Sequence, residues 1–291
     1  MNAALPPKAS ASHDASPSRE QVPRRDLENR PLKGRLYLVP TPLDHGCGQL
    51  VDIDEVLPAG TLRHAARLSH WISENAKSTR AFLKRVDALE PLAQPVQAIQ
   101  ITELPREVHK KGDHAGAGQR PFDARPLLKP ALDGFDIGLV SEAGMPGVAD
   151  PGSSVARAAH ELDIEVVPLI GPVSILLALG ASGLNGQNFA FVGYLPQEVI
   201  ARASRIRELE TLARKTGQAQ LFIETPYRNR AVLQSLLETL REDTRLTVAF
   251  GLTLPSSTIR TRSAGQWKKD KAVNNVAEDI LKLPCVFGIG A

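Results

Sequence analysis

The densest run of residues able to build a ligand site is SEAGMPGVADPGSS, residues 141–154. It brings together Gly144, Gly147 and Gly152 with Pro146 and Pro151. Glycine permits positive φ or close approach of backbone to a ligand, and proline stiffens what lies between. Asp150 is placed to N-cap a helix whose first residue would be Pro151. A second polar cluster, Glu74-Asn-Ala-Lys-Ser-Thr-Arg80, precedes another helix, and Ser78 is its expected N-cap. His109 and His114 lack a matching cysteine or carboxylate spacing, so no metal is expected. Cys47 and Cys285 are far apart and likewise lack ligand spacing, which suits a reduced, cytoplasmic protein.

The elements that must carry these residues follow from hydrophobic pattern. Residues 135–140 form a continuous apolar run, the mark of a buried parallel strand. Val155, Ala158, Ala159 and Leu162 recur at helical spacing after the loop. Strand, glycine loop and helix is how an open α/β sheet forms a site at a strand's carboxyl end. A plain tight turn is the alternative, but such a turn seldom needs so many glycines and prolines. Further strands are expected at 35–39, 70–73, 96–104 and 164–170, with helices at 57–68, 78–89 and 124–132, the last kinked at Pro126 or Pro130. Alternating β and α predicts a parallel sheet, with the loops after Val39, Ser73, Val140 and Ile170 on one edge.

The polar linker at 184–187 is the expected domain boundary, giving domains at 34–186 and 187–291. In the second, strands are expected at 189–195, 220–224, 246–252 and 285–289. Helices are expected at 199–215, 228–241 and 273–283. Residues 1–33, rich in Ala, Ser, Pro and charge, are expected to be a disordered tail. The chain has 291 residues, 42% of them hydrophobic, enough for a sizeable core. No apolar run approaches a membrane span and no signal-peptide core is evident at the N-terminus. Net charge is +3, from 35 Lys+Arg and 32 Asp+Glu. Six of the basic and four of the acidic residues lie in 1–33, so the body is nearly neutral and any polyanion would need a local basic patch. No P-loop, zinc spacing or internal repeat is present.

Several segments together resemble one known family. SEAGMPGVADPG is similar to S-D-A-G-T-P-G-I-S-D-P-G, IGPVSILLALGASGL to a P-G-P-S-A helix start ending in S-G-L, and FAFVGYLPQE to F-x-F-x-G-F-L-P. FIETPYR is similar to Y-E-S-P-H-R, and LYLVPTPLD to an opening strand and proline loop. These motifs resemble the tetrapyrrole methylase superfamily of S-adenosylmethionine-dependent methyltransferases. The likeness is greatest to the branch that 2′-O-methylates a cytidine of small-subunit ribosomal RNA. It extends from about Arg35 onward. Departures fall at residues 73–77 (Ser-Glu-Asn-Ala-Lys for A-E-D-T-R), at Glu142, Met145 and Tyr227, and at 250–254, where three charges are lost.

The resemblance implies two α/β domains, a parallel-sheet one and a mixed-sheet one, with the cofactor in the cleft between them, and a homodimer. By motif position it implies cofactor contacts at Pro40, Glu142, Ala143, Gly144, Met145, Gly147, Asp150, Val173, Ser174, Tyr194, Leu195 and Pro196. Methyl transfer to a ribose hydroxyl would be helped by a carboxylate base, and Glu74 and Glu224 are the candidates. Lys77 and Arg228 are the candidates for holding phosphate. Three functions stay open at this point: an RNA methyltransferase, a small-molecule methyltransferase, and a non-catalytic cofactor-binding protein.

Overall fold

The computed structural model describes residues 26, 32–44, 46–111, 113, 122–269 and 278–291. Most of the expected tail, and His114 with most of its loop, lie outside the described residues. The first half runs β1 (Leu36–Val39), α1 (Ile53–Val56), α2 (Ala59–Arg67), β2 (His70–Ser73), α3 (Ala76–Asp87), β3 (Gln100–Glu103) and α4 (Arg106–Lys111). A 3₁₀ turn at Arg125–Leu128 leads to α5 (Lys129–Leu132), β4 (Ile137–Val140), α6 (Ser153–Glu161) and β5 (Val166–Pro168). The five strands are all parallel, in the order β3-β2-β4-β1-β5.

All four residues of β4 are buried, as its unbroken apolar run requires of a central strand. On one face Tyr37, Val39, Trp71 and Val140 pack with residues of α1, α2 and α3 such as Ile53, Leu62 and Leu83. On the other, Leu36, Ile72, Ile137 and Leu139 pack with Leu128, Val155 and Ala159. Gly138 is glycine because the Trp71 ring lies over it: a Cβ there would stand 2.6 Å from the indole. Parallel pairing sends the chain off β1, β2, β4 and β5 at one edge, where the polar loops gather.

The second half runs α7 (Ser174–Ser182), β6 (Phe189–Tyr194), α8 (Val199–Thr216), β7 (Ala219–Glu224), α9 (Asn229–Thr239), β8 (Arg245–Phe250) and β9 (Thr258–Ser263). It continues through α10 (Ala264–Lys269) and α11 (Glu278–Leu281) to β10 (Cys285–Gly290). Its sheet has the order β6-β7-β10-β8-β9. β6 and β7 are parallel and the other pairs antiparallel, so the sheet is mixed, as expected. One face packs against α8, α9 and α10 through Ile206, Leu209, Leu236 and Trp267. The other face carries α7: Ile175 and Leu179 lie on Leu221, and Ala178 lies with Ala249 and Val286.

The structure corrects several local expectations. The N-cap of α3 is Asn75, not Ser78; its side chain accepts from the N–H of Lys77 (2.9 Å) and Ser78 (3.4 Å). The strand expected at 96–104 is confined to β3, since Ala98 turns back to Pro95 by a backbone hydrogen bond. β9 was not expected at all. Its sequence, Thr-Ile-Arg-Thr-Arg-Ser, is that of a polar edge strand, which carries little apolar signal.

Candidate functional site

The loop after β4 is folded by backbone geometry before any side chain matters. Gly144 and Gly147 both have φ +78°, Gly152 has φ +139°, and Ala149 also lies at positive φ. Gly144 forms a two-way backbone bridge with Thr41, its N–H donating to Thr41 O at 3.1 Å and its carbonyl accepting from Thr41 N at 3.0 Å. This bridge ties the loops after β1 and β4 together. The expectation for Asp150 is overturned. α6 begins at Ser153 with Gly152 as N-cap, so Asp150 lies two residues short of the cap, after Ala149 at positive φ. The capping carboxylate comes from Asp113, thirty-nine residues away from Gly152. It accepts from Gly152 N (2.9 Å), Ser154 N (2.6 Å) and Ser153 Oγ (2.8 Å). Burial pushes the Asp113 carboxyl up, but the hydrogen bonds from Ser154, Gly152 and Ser153 outweigh it and hold it below the ordinary value. The start of α6 is thus already occupied by an anion of the chain itself.

Between the two sheets lies a cleft of about 260 Å³. Of the residues proposed from sequence, Ala143, Gly144, Met145, Asp150, Val173, Ser174, Tyr194 and Glu224 line it. Among the described residues no lysine, arginine or histidine does. Its carboxylates sit in an acidic setting. Burial first, then the nearby Glu74 and Glu142, push Asp150 from 3.8 to about 7. Burial and the charges of Asp150 and Glu224 also raise the Tyr194 hydroxyl. Glu224 is 4% exposed; its Oε1 accepts from Thr225 N and Oγ1, while the buried Oε2 is ion-paired with Arg228 Nη2 at 3.2 Å.

The other sequence candidates lie elsewhere. Glu142 and Lys77 line an adjoining cavity of about 480 Å³, at the ends of β1, β2 and β4. Its outer wall is the loop from Asp44 to Val51, which Asp44 fastens by a two-point ion pair with Arg85 (3.1 and 3.0 Å) and by accepting from Val51 N. Glu74 accepts from Glu142 N at 3.3 Å and does not line either space. Pro40 stands behind the cleft, packed under Gly171, where a Cβ would fall 2.3 Å from its ring. Gly147 forms the return of the loop, hydrogen-bonded to Pro151 O. Leu195 is buried in the second core. Pro196 presents its carbonyl to Arg202 and Arg228. Arg228, expected from sequence to hold a phosphate, donates to the carbonyls of Leu195 and Pro196 and forms an ion pair with Glu224.

Curated relatives show where this architecture belongs, although no family model matches the chain. A ribosomal RNA small subunit methyltransferase I from Mesorhizobium japonicum is 30% identical over 241 residues, covering 82% of this chain and 71% of that protein. The chain belongs to the ribosomal RNA small subunit methyltransferase I family. The relative of that name from Escherichia coli O157:H7 is 29% identical over 86% of this chain and 77% of its own length. The one from Vibrio cholerae is 35% identical, but the match spans only 47% of this chain and 46% of that protein. The solved structure of the methyltransferase CobJ shares the fold, with a TM-score of 0.52 over 88% of this chain and 94% of its own, at 16% identity. The tetrapyrrole methylase fold expected from the motifs is therefore the fold observed.

Sequence reasoning missed the far wall of the cleft in this family member: Leu43, Ile223, Gly251, Leu252 and the start of β10 at Cys285 and Val286. The one local signal was Gly251, at φ +56° where β8 ends. Among the described residues no group of three His, Cys, Asp or Glu side chains could hold a metal, and no helix is long and apolar enough to cross a membrane.

Proposed function

We propose that this chain is an S-adenosylmethionine-dependent methyltransferase that modifies a ribose 2′-hydroxyl of small-subunit ribosomal RNA, working as a homodimer in the cytoplasm. The observation that carries this is the cleft itself: apolar walls, carboxylates at Asp150 and Glu224, and, among the described residues, no basic side chain. A sulfonium cofactor is cationic and carries an ammonium group, and such a field favours it. Gly144, held at φ +78° by its bridge with Thr41, lines the cleft without a side chain, which suits close approach of a ligand to backbone. Gly144, Met145, Val173, Ser174 and Tyr194 would hold the cofactor, which supplies a methyl group activated by positively charged sulfur. The relatives' names support ribosomal RNA as the acceptor.

The acceptor is assigned to the adjoining cavity, across the Thr41–Gly144 bridge from the cleft. Two carboxylates line it: Asp44 is taken up by its two-point ion pair with Arg85, which leaves Glu142, steadied by a hydrogen bond from Ser78 Oγ (3.2 Å), as the group to take a hydroxyl proton. Glu74 instead fixes the Glu142 backbone. Lys77 lines the same cavity, and with Arg80 and Lys84 it forms an exposed stripe at i, i+3 and i+7 along α3. Lys77→Ala should weaken RNA binding and lower its salt slope by about one, with cofactor affinity unchanged. The decisive assay is labelled methyl transfer to small-subunit RNA, with ribose methylation read as resistance to alkaline cleavage. A wild-type protein that binds no S-adenosylmethionine would refute the proposal outright.

Dimerisation fits α7, which is apolar on all sides yet buries only one: Leu176 and Leu177 remain 52% and 41% exposed. A second copy would cover them. Sedimentation equilibrium should find a dimer, and Leu176→Glu with Leu177→Glu should yield a monomer. A monomeric wild type would remove this part of the proposal.

A further inference from the structure

Two guanidinium groups converge on the loop that follows β6. Arg202, on α8, is 6% exposed. Its Nη1 donates to the carbonyls of Gln197 (2.9 Å) and Pro196 (3.4 Å), and its Nε to Ser235 Oγ on α9 (2.9 Å). Arg228, at the start of α9, donates through Nη2 to the carbonyls of Leu195 (3.2 Å) and Pro196 (3.3 Å). The same nitrogen lies 3.2 Å from Glu224 Oε2. Three successive carbonyls are thereby held by side chains rooted in two helices. On one side of this loop Tyr194 lines the cleft; on the other Leu195 is locked into the second core. Glu224, the other end of the ion pair, lines the cleft too.

We infer that Arg228 is a positioning residue: it holds the Leu195–Gln197 loop, and with it Tyr194, at the mouth of the cleft, using Glu224 as its anchor and Arg202 as a second brace. The side chains of Arg228 and Glu224 are only 17% and 1% exposed. Reaching out to a phosphate would leave a buried carboxylate unpaired, which is strongly disfavoured. A guanidinium has the planar fork needed to serve a carboxylate and carbonyls at once. A lysine ammonium is a point charge and serves a phosphate about as well. The identity of residue 228 therefore separates the two roles.

The test uses the full chain carrying Arg228→Lys, with Glu224→Gln/Arg228→Gln as a second variant that removes both charges and leaves no buried ion unpaired. Hydrogen exchange of the peptide segment 194–199 should quicken at least tenfold in both. S-adenosylhomocysteine affinity, by calorimetry, should fall about tenfold in Arg228→Lys, while the salt slope of RNA binding stays at the wild-type value. Exchange unchanged in both variants would overturn the inference. So would an Arg228→Lys protein with wild-type exchange and cofactor affinity, if the Glu224→Gln/Arg228→Gln protein has lost one unit of salt slope. The affinity arm rests on the cofactor reading proposed above. Should the wild type bind no S-adenosylhomocysteine, that reading fails, and the exchange arm still decides the inference.

Discussion

Replacing Gly144 by valine should abolish S-adenosylmethionine binding in a protein that still folds, whereas the same change at Gly147 should spare it. Both glycines have φ +78°, so a β-branched residue suffers the same backbone strain at either, about 1–2 kcal/mol. The surroundings differ. A Cβ on Gly144 would stand 3.1 Å from Leu43 and 3.6 Å from Pro172 O, and the two γ methyl groups beyond it would enter a cleft of only about 260 Å³. Gly147 is exposed and does not line the cleft. The Thr41–Gly144 bridge uses backbone atoms alone and survives either substitution. Calorimetry should show at least a hundredfold loss of affinity for Gly144→Val and little change for Gly147→Val, with similar small falls in Tm. Equal affinities in the two variants would mean the ligand does not approach Gly144.

The second large effect is a pH dependence centred on Asp150, and it has opposite signs in the free and bound protein. The Asp150 carboxyl, raised from 3.8 to about 7, is faced by Glu74, Glu142 and Tyr194, and among the described residues no cation lines the cleft. A raised folded-state value means that folding favours the protonated carboxyl. This stabilisation is complete below about pH 4 and is lost as pH rises through about 7. The gap corresponds to about 4 kcal/mol at most. Chemical denaturation should therefore find the free protein less stable at pH 8 than at pH 6, and Asp150→Asn should remove most of that difference. A cationic ligand prefers the ionised carboxylate. Cofactor affinity should accordingly rise with pH up to about pH 7, by as much as tenfold per unit, and then level off. Asp150→Asn should bind weakly and without this slope. A wild-type affinity that is flat between pH 5.5 and 8 would show that no positive charge is placed near Asp150.

What was legible in the sequence was whatever depends on neighbours along the chain. The run at 135–140, the glycines of 144–152 and the Gly-Pro before α7 announce a buried strand, a positive-φ loop and a helix start without reference to anything distant. The residues that complete the site act across long separations, and local pattern does not hold them. Asp113 caps α6 from another loop. Asn75 took the cap from Ser78 because an Asx side chain two residues ahead of Lys77 reaches its N–H first. Glu224 and Arg228 are four apart, but a strand end and a 3₁₀ turn separate them, so no helical spacing rule foretold their pairing. The adjoining cavity divides Lys77 and Glu142 from the cleft residues, a partition visible only once the Thr41–Gly144 bridge is in place.

The position of β10 has a bearing on how the protein comes into being on the ribosome. It pairs with β7 on one side and β8 on the other, yet every other strand of its sheet precedes it in the chain. The first sheet has all its strands once β5 has emerged. The second emerges as two separate ribbons, β6 with β7 and β8 with β9, each presenting an open edge. α7, made before them all, finds β10 only at the end, although Ala178 packs with Val286. The nascent second half thus exposes apolar helix and unpaired strand edges together until β10 emerges, the kind of surface that holding chaperones recognise.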